Sequence, residues 1–99
     1  MLNKFEAKIA ACGAIADIVG LDYFRAHIQN ACESPPADDY DGVDYEYFLG
    51  FDDINDKSEL WNVFALVSVN RDTKEVTVLD YKTPDGRRME NPIRPISLA

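Results

Sequence analysis

The run Trp61–Val69, WNVFALVSV, limits the folds open to this chain more than any other stretch. Trp61, Val63, Ala65, Val67 and Val69 alternate toward one side, and Phe64 and Leu66 make the middle of the other side apolar too. A short segment that is apolar on both faces is expected in the middle of a sheet. Asn70–Lys74 is polar and brief enough for a hairpin connection, and Glu75–Tyr81, with Val76, Thr77 and Val78, returns as an antiparallel partner. Upstream, Tyr45, Tyr47, Leu49 and Phe51 alternate with Glu46, Phe48 and Gly50, which predicts a further strand over 45–51. Thr83-Pro84-Asp85-Gly86 reads as a turn. Arg87–Glu90 is expected to add a brief edge strand before Pro92 and Pro95 prevent regular pairing.

The first third of the chain changes period. Leu2, Phe5, Ile9, Cys12, Ala16 and Val19 recur at three and four, the spacing of one helical face. Asn3 with Glu6 three residues on suggests a capping box, and Gly20 a C-terminal stop. Lys4 and Lys8 are expected on the outer side. Ala7, Ala10, Ala11, Gly13 and Ala14 keep much of the remaining surface small, so a neighbouring element can come close. A second helix is expected over about 22–33, capped by Asp22, with Phe24, Ile28 and Cys32 inward, and ended by Glu33-Ser34-Pro35-Pro36 because a residue before proline avoids the α region. Helices followed by strands indicate an α+β fold. The expected architecture is two N-terminal helices packed on one face of a three- to four-stranded antiparallel sheet. It forms one domain over 1–99, helical over 2–33, sheet-forming over 45–90 and ending in an irregular tail over 91–99. At 99 residues such a chain hides roughly 60–70% of the surface its unfolded form exposes, enough for one core.

Charge is the second constraint. Between Ala37 and Glu59 lie nine of the chain's 18 acidic residues against the single base Lys57, so this stretch accounts for the whole net charge of −8. The acids fall in two loops, Asp38, Asp39, Asp41, Asp44 and Glu46 before and at the start of the 45–51 strand, and Asp52, Asp53, Asp56 and Glu59 after it. Direct binding to nucleic acid needs Lys and Arg to displace counterions, and an anionic membrane repels an acidic protein, so neither is expected. No apolar run is long enough to span a bilayer. Ile9-Ala10-Ala11-Cys12 resembles a lipoprotein cleavage site, but Lys4, Glu6 and Lys8 interrupt the apolar segment such a site requires. The chain is read as cytoplasmic, with Cys12 and Cys32 as small hydrophobes on helical faces; a bridge between them is left open.

The residues give little support to chemistry. His27, the single histidine, is five positions from Cys32, about 140° around a helix, so the two cannot act as base and nucleophile there. Acid–base work by paired carboxylates needs one of them buried, which exposed loops do not provide. Asp39-Tyr40-Asp41-Gly42-Val43-Asp44 looks like the start of a calcium loop, but with Gly42 at the sixth position Ala37 and Phe48 fall where the first and twelfth ligands belong. The glycines are isolated, so no phosphate-cradling loop is expected. The C-terminal bases Lys82, Arg87, Arg88 and Arg94 read as a mixed-sign surface with Asp85 and Glu90. No cofactor and no enzymatic activity are expected.

Recognition remains. Asp39, Asp41, Asp44 and Glu46 are spaced by two or three residues, and on extended backbone a two-residue step is roughly 7 Å, near the phosphate repeat along one nucleic-acid strand. Tyr40 and its neighbouring aromatics add anchors of the kind that dominate interfaces. In size and charge the chain is similar to small acidic inhibitors, among them phage anti-restriction and anti-CRISPR proteins and the immunity proteins of nuclease toxins. The likeness rests on composition alone. It implies a non-enzymatic inhibitor that covers a basic nucleic-acid-binding surface of a nuclease or defence complex, with Asp38, Asp39, Tyr40, Asp41, Asp44, Glu46, Asp52, Asp53, Asp56 and Glu59 at the interface. The alternative is a regulatory module whose acidic loops take calcium or another ligand.

Overall fold

The computed structural model describes residues 1–51 and 63–90. Helix α1 (Lys4–Val19) and the short helix α2 (Leu21–His27), extended by a 3-10 turn at Ile28–Asn30, precede four strands: β1 (Cys32–Ser34), β2 (Asp44–Phe51), β3 (Val63–Asn70) and β4 (Val76–Lys82). The strands form one antiparallel sheet in the order β1-β2-β3-β4, and the helices cover one face of it. The α+β architecture expected from the sequence is the observed one.

Strand β3 lies between β2 and β4, as its two apolar faces require. Val63, Ala65, Val67 and Val69 are buried against α1 together with Tyr45, Tyr47, Leu49 and Phe51 of β2. Phe64 and Leu66 are half-buried on the opposite, open face, where Phe64 stacks on Phe48 with ring centroids 6.0 Å apart. The β3–β4 connection is shaped by Asn70, whose side-chain oxygen accepts from the backbone N–H groups of Asp72 and Thr73, both at 3.0 Å. Lys74 completes it at a φ of 66°. The 83–86 turn forms as expected, with Gly86 at a φ of 87° and its N–H donating to the Thr83 carbonyl at 3.0 Å.

Three expectations need correction. First, α1 buries only part of the expected stripe: Ala16 and Val19 are buried and Cys12 is half-buried, but its largest members are not. Phe5 and Ile9 are 72% and 56% exposed, and the face against the sheet is Ala7, Ala11, Ile15, Ala16 and Val19. The sheet presents tyrosine, leucine and phenylalanine, and alanines let the helix approach that bulk and fill the space between the side chains. Lys4 and Lys8 border this packed face and both find partners, so they do not lie on the outer side. The capping box of Asn3 and Glu6 and the stop at Gly20 (φ 95°) are present as expected. Second, the second helix ends early. Asp22 does not cap it, since Gly20 occupies the cap position, and Cys32–Ser34 forms the edge strand β1. Cys32 is thus exposed on a strand, and both cysteines are free. Third, the fourth strand comes from this segment and not from Arg87–Glu90, which contributes a single bridge between Arg88 and Lys82. The expectations for Trp61 and for 91–99 lie outside the described residues.

Candidate functional site

The site is organised by the place where β1 stops. Ser34 pairs with Phe48, which puts Pro36 opposite Glu46 in the same register. Proline has no N–H to donate, so pairing ends and 35–43 arches away before the chain re-enters the sheet at Asp44. Among the described residues the arch is held through its backbone, beginning with the turn in which the Tyr40 N–H donates to the Ala37 carbonyl at 2.9 Å. The Arg71 guanidinium donates to the Gly42 carbonyl at 2.8 Å, and the Arg71 N–H to the Val43 carbonyl at 2.8 Å. The Lys4 ammonium donates to the Asp38 carbonyl, and the Tyr40 hydroxyl to the Asp44 carbonyl at 2.7 Å. The Tyr40 ring lies directly over Gly42: a Cβ there would stand 2.1 Å from the Tyr40 oxygen.

Arg71 is the centre of this arrangement. Only 7% of it is exposed, and besides the arch it donates to the Leu2 carbonyl at 2.9 Å, while the Leu2 N–H donates to the Arg71 carbonyl at 2.8 Å. It joins the N-terminus, the β3–β4 turn and the acidic arch. A charged donor bound to carbonyl oxygens is stronger than a neutral one.

The carboxylates are left out of this framework. Asp38, Asp39, Asp41, Asp44 and Glu46 are all exposed, and among the described residues none of them forms an ion pair. The backbone turns at Asp38–Asp39, and the extended two-residue spacing holds between Asp44 and Glu46 on β2. Asp52, Asp53, Asp56 and Glu59 lie outside the described residues. Among the described residues no three acidic, histidine or cysteine side chains come together as metal ligands.

Glu33 behaves in the opposite way. It faces α1, paired with Leu49 across the strands, and its carboxylate accepts from the Tyr47 hydroxyl and meets the Lys8 ammonium at 2.9 Å. The Tyr47 hydroxyl, then the Lys8 ammonium, hold the Glu33 carboxyl below its ordinary value, and Glu33 in turn raises Lys8. Burial, then the Glu33 carboxylate, push the Tyr47 hydroxyl up. Burial also raises the Cys12 thiol, against the smaller opposite pull of the Tyr47 hydroxyl. A thiol held protonated in this way is a poor nucleophile. His27 stacks on Tyr23 at 4.0 Å between centroids, with Nδ1 2.9 Å from the Tyr23 carbonyl oxygen, a local helical contact.

Beneath the arch, on the open face of the sheet, lies an open cavity of about 800 Å³. Its floor is Phe48 and Leu66, its walls are Pro35, Pro36 and Tyr40, and Asp44 and Glu46 stand at its acidic side. Of these residues Tyr40, Asp44 and Glu46 are legible in the sequence as interface candidates. The cavity itself and the tether Arg71 are not. Compared with protein-family models, with curated proteins and with solved structures, the chain matches none. Among the described residues no helix is long and apolar enough to cross a membrane.

Proposed function

We propose that the protein is a non-enzymatic binding protein that docks its acidic arch on a basic surface of a protein partner, of the kind that nucleases and nucleic-acid-binding complexes use to hold nucleic acid, and so acts as an inhibitor. The observation that carries this reading is the division of labour in 37–46, where contacts to backbone carbonyls hold the segment in place and no carboxylate has a cation partner among the described residues. A fixed array of unpaired like charges costs self-repulsion, and a basic partner removes that cost. Such a surface associates quickly and weakens with salt.

The test is charge reversal at Asp39, Asp41 and Asp44. Capture of a basic partner from host lysate at low salt is expected to be lost in the Asp39→Lys, Asp41→Lys, Asp44→Lys variant, with the melting temperature nearly unchanged. Undiminished capture, or loss of folding, overturns the reading. Millimolar calcium is expected to leave the melting temperature where it is; a large upward shift favours the calcium-binding alternative.

A further inference from the structure

We propose that the cavity beneath the arch receives an arginine side chain of the basic partner, an inference that rests on the docking role given above. Its first support is the backbone at Glu46. The Arg71 N–H bonds to the Val43 carbonyl, so in the alternating antiparallel pattern Tyr45 and Tyr47 direct their backbone groups to β3, and Asp44, Glu46 and Phe48 direct theirs to the β1 side. The Asp44 carbonyl is taken by Tyr40. Glu46 faces Pro36 in the β1 register, β1 has ended, and no described residue bonds its N–H or C=O on that side. Among the described residues the cavity thus has an unpaired backbone donor and acceptor at Glu46 beside the Asp44 and Glu46 carboxylates, the donor left for the backbone of the incoming peptide.

Its second support is the lining. Carboxylates without a described cation partner stand at Asp44 and Glu46, with Glu33 and Ser34 on the β1 side, apolar surface is supplied by Phe48, Leu66 and Tyr40, and no lysine, arginine or histidine lines the cavity among the described residues. An anionic ligand is repelled, and an aliphatic side chain would strip water from two carboxylates without replacing its hydrogen bonds. A guanidinium meets both demands: it is planar, carries donors only, binds carboxylates through paired N–H groups, and is weakly enough hydrated to lie against aromatic faces. Lysine offers a compact, strongly hydrated charge that gains less from such a floor. The volume exceeds one side chain, leaving room for the extended backbone that carries the arginine.

The experiment is an NMR titration of the uniformly ¹⁵N-labelled full chain with the blocked peptide acetyl-Gly-Arg-Gly-amide. Saturable shifts in the millimolar range are expected at Glu46, Phe48 and Leu66. The matching lysine peptide should bind at least about threefold more weakly. Free arginine should also bind more weakly than the peptide, since its α-carboxylate would face Asp44 and Glu46. Glu46→Gln, an exposed position whose fold the same spectra verify, should weaken the arginine peptide about fivefold. Equal binding of the two peptides, shifts confined to Asp38–Asp41, no saturable shift, or indifference to Glu46→Gln overturns the proposal. No partner is present in this titration, so failure of partner capture leaves a positive result standing. Failure of the titration leaves docking by the arch standing.

Discussion

Glu33 and the acids of the arch carry the same group within a dozen residues of each other and are treated in opposite ways. Glu33 is neutralised by Lys8 and bonded by the buried Tyr47 hydroxyl, so its charge serves to join α1 to the sheet edge. Among the described residues Asp38, Asp39, Asp41 and Asp44 have no such partners, and the arch that bears them is fixed through carbonyl oxygens. Where an acid contributes to stability, the fold brings it a cation or a hydroxyl. Where it does not, the fold holds the backbone and leaves the charge to solvent. The contrast separates charge that belongs to folding from charge open to a partner, which total charge cannot do.

The most damaging way to break this contrast removes no acid at all. Arg71→Met deletes the donors to the Gly42 and Leu2 carbonyls while keeping much of the side-chain bulk, and hydrogen bonds from a charged group contribute about 1.5–3 kcal/mol each. Unfolding by denaturant is expected to show a loss of about 3 kcal/mol, and hydrogen exchange should speed up at the residue-71 amide, which bonds the Val43 carbonyl, and at the Leu2 amide, which bonds the residue-71 carbonyl. Because the arch then loses its charged tether at Gly42, partner capture should fall with every carboxylate still present. Capture that survives Arg71→Met would mean that the charges act without being held in place.

Tyr47→Phe addresses the other side of the comparison, with an expected loss of about 1 kcal/mol for one hydroxyl bond to a charged acceptor that water can still reach. Its pH dependence carries more information. The Glu33 carboxyl is lowered in the folded state, so its contribution is present above the unfolded value of 4.5 and is lost as pH falls through the folded value. The Tyr47 hydroxyl is raised, so its contribution is present below the unfolded value of 10.0 and declines as pH climbs above it. Melting temperatures of the wild type and Tyr47→Phe should therefore differ most between these limits and converge at both ends. A constant difference across pH would show that the hydroxyl acts by packing alone.

These contacts also mark where sequence pattern stops being informative. The β3 strand and its hairpin are legible because alternation is local and both faces of Trp61–Val69 are visibly apolar. Strand β1 is not, since Cys32-Glu33-Ser34 has no pattern of its own and becomes a strand by pairing with Phe48–Gly50. Helix α1 is legible as a helix but not in its rotation. The periodic stripe with Phe5 and Ile9 attracts attention, yet the aromatic sheet accepts the alanines. The acidity of the arch is plain from composition. Its rigidity depends on Arg71, 29 residues from Gly42 and 69 from Leu2, and no spacing rule connects an arginine to distant carbonyls.

Gly42→Ala should cost about 1 kcal/mol. The added carbon would stand 2.1 Å from the Tyr40 oxygen and 2.3 Å from the ring carbon bearing it. The ring, already 37% exposed, can swing into solvent, but it then gives up its bond to the Asp44 carbonyl. The loss should appear as a small drop in denaturant midpoint and as altered Tyr40 ring resonances, with Arg71 unaffected. A larger drop would show that Tyr40 holds more of the arch than one hydrogen bond.

The smallest expected effect tests the comparison most directly. Asp39→Asn, Asp41→Asn and Asp44→Asn together remove three charges and leave every described backbone tether in place. If these carboxylates contribute nothing to folding, stability should stay within about 0.5 kcal/mol of wild type, as for exposed positions without partners. The sign should be a slight gain at low salt, because neighbouring like charges repel, and it should vanish as salt screens them over a shorter distance. Glu33→Gln, a single neutralisation, should lose more than the triple change does. If the order is reversed, the arch acids belong to the fold, and the open charge in 37–46 no longer points to a partner.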